Sequence, residues 1–221
     1  MTDTQPAVVP GLQDQQRSRL IDHFKRAYQI IVGLAITQAC SKLFPDGHFT
    51  LADPAFWMFC TFFITVVPIF HGGDRSLDIK YLGSPQTRLG GQIAYVWDVY
   101  MLLVTATFFV KISQTIPGQG LIGSVEMDPK LFYAWMAAML LFDALVLLVD
   151  WVKSSLLNLT AWKDLEVYGR WIALNVVFGA ACYYLAYKTS LSSEHLGMAV
   201  FAGAALRTVL DYLFGRKFMF P

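Results

Sequence analysis

Six long apolar stretches divide this chain of 221 residues, and they constrain its fold more than any other feature. Each has about 17–23 residues, enough for a helix that rises 1.5 Å per residue to cross a hydrocarbon core about 30 Å thick. Only 15% of the residues are charged, whereas soluble domains carry about 25%. The sequence therefore predicts an all-α membrane protein with a single bundle of about six transmembrane helices. The predicted spans are 27–44, 54–71, 91–112, 130–152, 170–188 and 194–214.

Three regions follow from these spans. Residues 1–26 form a predicted cytoplasmic N-terminal tail, which ends in a short basic amphipathic lead-in to the first span. Residues 27–215 form the six-helix transmembrane domain, and residues 216–221 form a cytoplasmic C-terminus. The segment 153–169 has apolar side chains among charges, a pattern typical of an interfacial helix.

Local sequence signals support three of the helix starts. Asp53-Pro54 and Asp128-Pro129 each place a carboxylate at the N-cap and a proline at the first helical position. Ser192 and Ser193 give a weaker start signal for the last helix. These signals are independent of hydropathy, so they strengthen the predicted boundaries.

The distribution of lysine and arginine predicts the orientation. With the N-terminus inside, cytoplasmic segments hold 12 of these residues and the opposite side holds 4, when Arg207 within the last span is left out. Positively charged loops stay on the cytoplasmic side. We therefore expect both termini in the cytoplasm, with the protein integral to a bacterial-type inner (plasma) membrane.

Several charged residues lie inside the apolar stretches, where an ionisable group costs about 2.5–3.5 kcal/mol even on insertion scales. Asp98, Asp143 and Arg207 lie roughly 10, 13 and 12 Å from the cytoplasmic ends of three different spans at 1.5 Å per residue. Asp211 is one turn from Arg207 on the same helix face, and Asn175 joins near this layer. The five residues are the predicted buried charge network.

Three interpretations of this network remain open. It is either a neutralised cluster that holds helices together, or an ion or proton path, or a layer from which Arg207 reaches towards lipid headgroups. Carboxylates outnumber the one guanidinium, so an aspartate is expected to be protonated or to hold a cation.

A compact polar motif follows the second span. His71, Asp74 and Asp78 share one helix face if the helix continues, and would then hold a divalent metal or a lipid headgroup. With Arg75 and Asp150 they form a predicted cytoplasmic vestibule or headgroup site. If the helix instead ends here, the free backbone amides and Arg75 favour an anion.

The same region contains helix-breaking residues. Pro68 frees a backbone carbonyl, and the pair Gly72-Gly73 favours a break at the end of the span. We interpret the three residues as a hinge that lets the inner end of the second helix move.

Other features narrow the range of functions. The four histidines are not placed for a transmembrane haem site, and no nucleotide-binding loop or hydrolase signature occurs. We expect no cofactor and no resident metal. The formal net charge of +1 provides no general attraction for nucleic acid.

Three functional hypotheses remain. The first is a small channel, pore or transport protein that acts as a homo-oligomer in the lipid bilayer. The second is a non-catalytic effector, sensor or assembly subunit gated by a cytoplasmic protein partner. The third is a membrane-embedded enzyme that acts on lipid headgroups through His71, Asp74 and Asp78. The first two predict no enzymatic activity.

Overall fold

The computed structural model describes residues 10–43, 53–82, 89–118, 129–157 and 162–220. Within these ranges the chain forms seven helices and no strand. The six predicted apolar stretches are helical over their described residues, which confirms the all-α fold class. The helices are α1 (Pro10–Leu43), α2 (Pro54–Tyr81), α3 (Leu89–Thr115), α4 (Pro129–Leu157), α5 (Trp162–Lys188), α6 (Ser193–Phe214) and the short α7 (Arg216–Met219).

Two of the predicted helix starts are capped as expected. The Asp53 carboxylate accepts a hydrogen bond from the Ala55 backbone N–H at 2.8 Å, with Pro54 at the first helical position. The Ser192 hydroxyl accepts one from the His195 backbone N–H at 3.3 Å. Asp128 lies outside the described residues.

The six long helices pack as a closed ring in the order α1, α3, α4, α5, α6, α2, and α2 also contacts α3. The end of the ring that carries Lys25, Lys80 and Lys153 is called here the basic end. The opposite end is filled by an apolar core that includes Met58, Phe62, Phe132, Met136 and Val200.

Four of the described helices are long and apolar enough to cross a membrane: Pro54–Tyr81, Gly90–Thr115, Lys130–Leu156 and Ser193–Phe214. They indicate a membrane-integral protein. α1 and α5 have 34 and 27 residues but are more polar, since Gln29 and Gln38 interrupt α1 and Asn175 interrupts α5. Six spans and the orientation of the termini therefore stay predictions.

The predicted break in α2 is wrong, because the helix continues through Pro68, Gly72 and Gly73 to Tyr81. Gly73 instead allows close packing on α3. A Cβ atom at this position would lie 2.5 Å from Cδ2 of Leu102. With the helix unbroken, movement of a hinge at these three residues stays a prediction.

The basic lead-in and the first predicted span form the single helix α1. The described residues of the segment 153–169, whose pattern is typical of an interfacial helix, are divided between two helices. α4 continues to Leu157 and α5 begins at Trp162, so most of this segment extends the two neighbouring helices. Residues 158–161 lie outside the described part of the chain.

Candidate functional site

A cavity of about 90 Å³ lies inside the helix ring, lined by residues of α2 to α7. Asp98, Asp143, Asn175, Arg207 and Asp211 all line it. The five residues predicted as one buried network thus border one space, although they belong to two separate clusters.

The first cluster, called here the ion-pair ring, consists of Lys80, Asp98, Asp150 and Lys153. Lys80 contacts both carboxylates, and so does Lys153. The Lys80 Nζ atom lies 3.2 Å from Asp98 Oδ2, and the Tyr81 hydroxyl donates to the same oxygen at 2.7 Å. Lys80 is 2% exposed, so the pairing takes place away from solvent. Two carboxylates and two ammonium groups make this ring neutral.

The second cluster, called here the arginine cluster, consists of Asp143, Asn175, Arg207 and Asp211. The Asn175 amide donates to Asp143 at 2.6 Å, and its carbonyl oxygen accepts from the Arg207 Nε at 3.0 Å. Arg207 also lies 3.5 Å from Asp211 on the next turn of α6. Two carboxylates face one guanidinium, so by formal count this cluster has one carboxylate in excess.

Several polar atoms in the arginine cluster and beside it make no close hydrogen bond in the described part of the chain: Nη1 of Arg207, Oδ1 of Asp211 and Nε1 of Trp171. Nη1 of Arg207 has the ion pair with Asp211 at 3.5 Å, and Trp171 lies beside the same carboxylate. Arg207 and Asp211 are 4% and 2% exposed. Buried polar groups are normally paired, because an unpaired one costs about 1–3 kcal/mol. The lining is therefore suited to a polar or charged ligand.

Buried hydroxyl groups continue from the cavity towards the opposite end of the bundle. Pro68 lines the cavity, and Thr65 and Thr61 follow on the same face of α2, one and two turns away. Both threonines are fully buried, and their hydroxyls have no described partner. The Tyr133 hydroxyl on α4 is also buried without a described hydrogen-bond partner. These groups interrupt an otherwise apolar core.

The short helix α7 covers the basic end of the cavity. Met219 is one of the lining residues, and Phe218 packs edge-on against Trp171 with ring centroids 5.0 Å apart. Arg75 Nε donates to the Phe218 carbonyl oxygen at 3.2 Å. Gly215 permits the close approach of this segment, because a Cβ atom there would lie 3.0 Å from the Trp171 ring.

The predicted vestibule residues do not form one cluster in the structure. Asp74 and Asp78 bind Lys25 of α1, at 2.9 and 3.0 Å. Burial disfavours the charged form of Lys25, but the two carboxylates outweigh this effect and raise the pKa of its ammonium group. His71 lies against the rings of Tyr212 and Phe220 instead.

The remaining vestibule residues have other contacts: Arg75 binds the α7 backbone, and Asp150 belongs to the ion-pair ring. Among the described residues, no group of three histidine, cysteine or acidic side chains is arranged to hold a metal ion.

Sequence reasoning missed Lys80 and Lys153 as partners of the buried carboxylates. Both were assigned to cytoplasmic segments because the second and fourth spans were ended too early. The sequence contains one signal that α2 continues further. Leu77 and Tyr81 are four residues apart, so they extend the apolar face of α2 past the two glycines.

Comparison of the chain with family models, curated proteins and solved structures gives no match. The function is therefore inferred from the geometry of the cavity.

Proposed function

We propose that this protein is a membrane transport protein that moves protons or a small monovalent cation through the charged cavity. The observation that carries the proposal is the excess carboxylate in the arginine cluster. Four carboxylates and three cationic groups belong to the two clusters together. A negative charge left uncompensated in a membrane is costly, and one bound proton or monovalent cation removes that cost.

The size of the cavity limits the substrate. A water molecule needs about 10–15 Å³ of such space, so a cavity of about 90 Å³ accepts a few waters or a small ion. In the present conformation this volume is too small for larger organic substrates. Because the lining comes from a single chain, transport does not require a pore at a subunit interface. Homo-oligomerisation stays a separate prediction.

A route to the opposite side is supported by the buried hydroxyls. Thr65, Thr61 and Tyr133 supply unpartnered polar atoms in the half of the bundle that is otherwise apolar. Hydroxyl groups both donate and accept hydrogen bonds, so they suit the transfer of a proton or a partly hydrated ion. The surrounding apolar core closes this route in the present conformation.

Gating is assigned to the basic end. The ion-pair ring and α7 both lie between the arginine cluster and the surface at this end, and Arg75 holds α7 in place. Displacement of α7 by a cytoplasmic protein would expose the cavity. This observation favours a gated membrane effector as the second candidate function, and it is compatible with transport.

Ion flux into proteoliposomes tests the proposal. Uptake of protons, Na⁺ and K⁺ is measured separately for the unchanged protein, Asp143→Asn and Asp211→Asn. Both substitutions preserve side-chain volume and remove the excess charge, so we expect at least a tenfold loss of flux of the conducted ion. Glu166→Gln is the matched control, because Glu166 is 68% exposed and pairs only with Arg170 in the described contacts.

Flux in the unchanged protein at the level of empty liposomes for all three ions would contradict the proposal. Flux that is equal in both aspartate variants and in the control would also contradict it. Size-exclusion profiles of the variants show whether any loss comes from misfolding.

The third hypothesis, a lipid-headgroup enzyme, receives no support from these contacts. Asp74 and Asp78 are engaged by Lys25, and His71 packs on aromatic rings. Residence in a bacterial inner membrane with both termini cytoplasmic belongs to the proposal, on the basis of the lysine and arginine distribution.

A further inference from the structure

An apolar groove with a volume of about 680 Å³ lies between the first half of α1 and the first half of α3. Its walls are almost entirely aliphatic and aromatic, and they include Leu20, Phe24, Val96 and Val99. This volume falls in the range of about 300–1,000 Å³ that is usual for small-molecule sites. The groove is separate from the charged cavity.

The groove opens on the outside of the helix ring, at the level where α3 begins its predicted span. α3 is one of the four apolar helices, and its residues Val96 and Tyr100 are 65% and 57% exposed at the groove. Leu20 on the facing wall is 49% exposed. In a bilayer the molecules available to cover such surfaces are lipid chains, so the occupant is expected to come from the surrounding lipid.

Polar groups occur at the end of the groove that is nearest the start of α3. Gln92 lines this end, and Arg19, Asp22 and His23 are exposed on α1 next to the lining residues Leu20, Ile21 and Phe24. The Tyr95 hydroxyl is buried and has no hydrogen-bond partner among the described residues. A hydrogen-bonding end with the Arg19 guanidinium beside an apolar channel complements an anionic headgroup with its acyl chain.

We propose that the α1–α3 groove binds one anionic glycerophospholipid. An acyl chain lies along Val96 and Val99, and the phosphate lies near Arg19 and Gln92. The Tyr95 hydroxyl donates to an oxygen of the same lipid. This site is independent of the proposed transport function.

Native mass spectrometry with defined lipids tests the site. The purified protein is incubated with equal amounts of phosphatidylglycerol and phosphatidylcholine that carry identical acyl chains, and the bound lipids are counted. We expect one phosphatidylglycerol to stay bound in preference to phosphatidylcholine. Arg19→Gln should reduce this preference about fivefold, the factor for roughly 1 kcal/mol per basic residue at an anionic surface. Arg170→Gln, an exposed basic residue on α5, should leave it unchanged.

A second variant separates the groove from general surface attraction. Val96→Trp places a large ring at the exposed groove wall and should displace either lipid, without affecting the size-exclusion profile. Equal binding of the two lipids by the unchanged protein would overturn the proposal. Retention of phosphatidylglycerol in Val96→Trp would also overturn it, since the lipid would then be bound elsewhere.

Discussion

At the scale of single residues, Lys80 is a charged side chain in a buried position. Its ammonium group is 2% exposed and lies between Asp98 and Asp150, above the ring of Tyr168 at 5.6 Å. Moving a charge from water into such surroundings costs several kcal/mol, and only close pairing offsets that cost. The two carboxylates are therefore a condition for burying Lys80.

This dependence predicts a large effect of removing the charge. Lys80→Met keeps an unbranched apolar chain but leaves Asp98 and Asp150 with Lys153 as the one cation of the ion-pair ring. Breaking a buried ion pair costs about 3–5 kcal/mol, so we expect a marked drop in the midpoint of thermal unfolding in detergent. Arg170→Met is the control, since it breaks the exposed pair with Glu166 and should cost at most about 1 kcal/mol. Equal shifts in the two variants would contradict the prediction.

The charged residues also show how far sequence reasoning reaches. Asp98, Asp143 and Arg207 were identifiable because each interrupts a long apolar run, and all three line the cavity. Lys80 and Lys153 were not, because a lysine near a helix end is usually exposed at the membrane surface. Only the three-dimensional approach of α2, α3 and α4 distinguishes a buried lysine from an interfacial one. The division of the network into two clusters depends on the same packing.

At the scale of secondary-structure elements, glycines determine how closely α6 approaches its neighbours. A Cβ atom on Gly197 would lie 2.8 Å from Cβ of Trp57 in α2, and one on Gly203 would lie 2.9 Å from the Phe178 ring in α5. A ring can rotate aside, but the Trp57 Cβ atom moves only with the backbone of α2. Small residues at helix contacts in membranes allow this kind of packing.

A pair of alanine substitutions tests this role. Gly197→Ala should destabilise the protein by about 1–3 kcal/mol, the usual cost of overpacking. Gly33→Ala on α1 should instead be neutral or stabilising by up to about 1 kcal/mol, because a Cβ atom there meets nothing within 4 Å. Thermal unfolding of both variants in the same detergent measures the difference. Stabilisation by Gly197→Ala would show that α2 and α6 are not in close contact.

The same reasoning explains why the end of α2 was mispredicted. In a single sequence, Gly72-Gly73 after Pro68 resembles a helix end, since glycine favours helix termination. In the folded chain Gly73 faces Leu102 of α3. A Cβ atom added to Gly72 would lie 3.4 Å from Cε of Met219 in α7. Tertiary packing keeps the helix continuous, and local sequence does not reveal this packing.

At the scale of the whole molecule, we expect all six long helices of the ring to cross the membrane. α1 and α5 are less apolar on average, yet they expose large apolar side chains on the outside of the ring. Leu34 of α1 is 62% exposed and Val177 of α5 is 69% exposed, comparable to Val96 of α3 and Leu213 of α6. Large apolar side chains that face outward with this much exposure are expected of helices that face lipid. The polar residues that lowered their hydropathy, such as Asn175, are buried inside the ring.

Cysteine accessibility tests this topology. Single cysteines are placed at the exposed positions Gln15, Leu82, Ser190 and Lys217, in a background without the three native cysteines. With six spans, a membrane-impermeant maleimide reaches Gln15→Cys, Leu82→Cys and Lys217→Cys from one side of sealed vesicles, and Ser190→Cys from the other. If α1 and α5 do not cross, Ser190→Cys instead reacts from the same side as Leu82→Cys, and Gln15→Cys and Lys217→Cys react from the opposite side. The labelling pattern therefore distinguishes six spans from four, because each non-crossing helix reverses the side of the positions next to it.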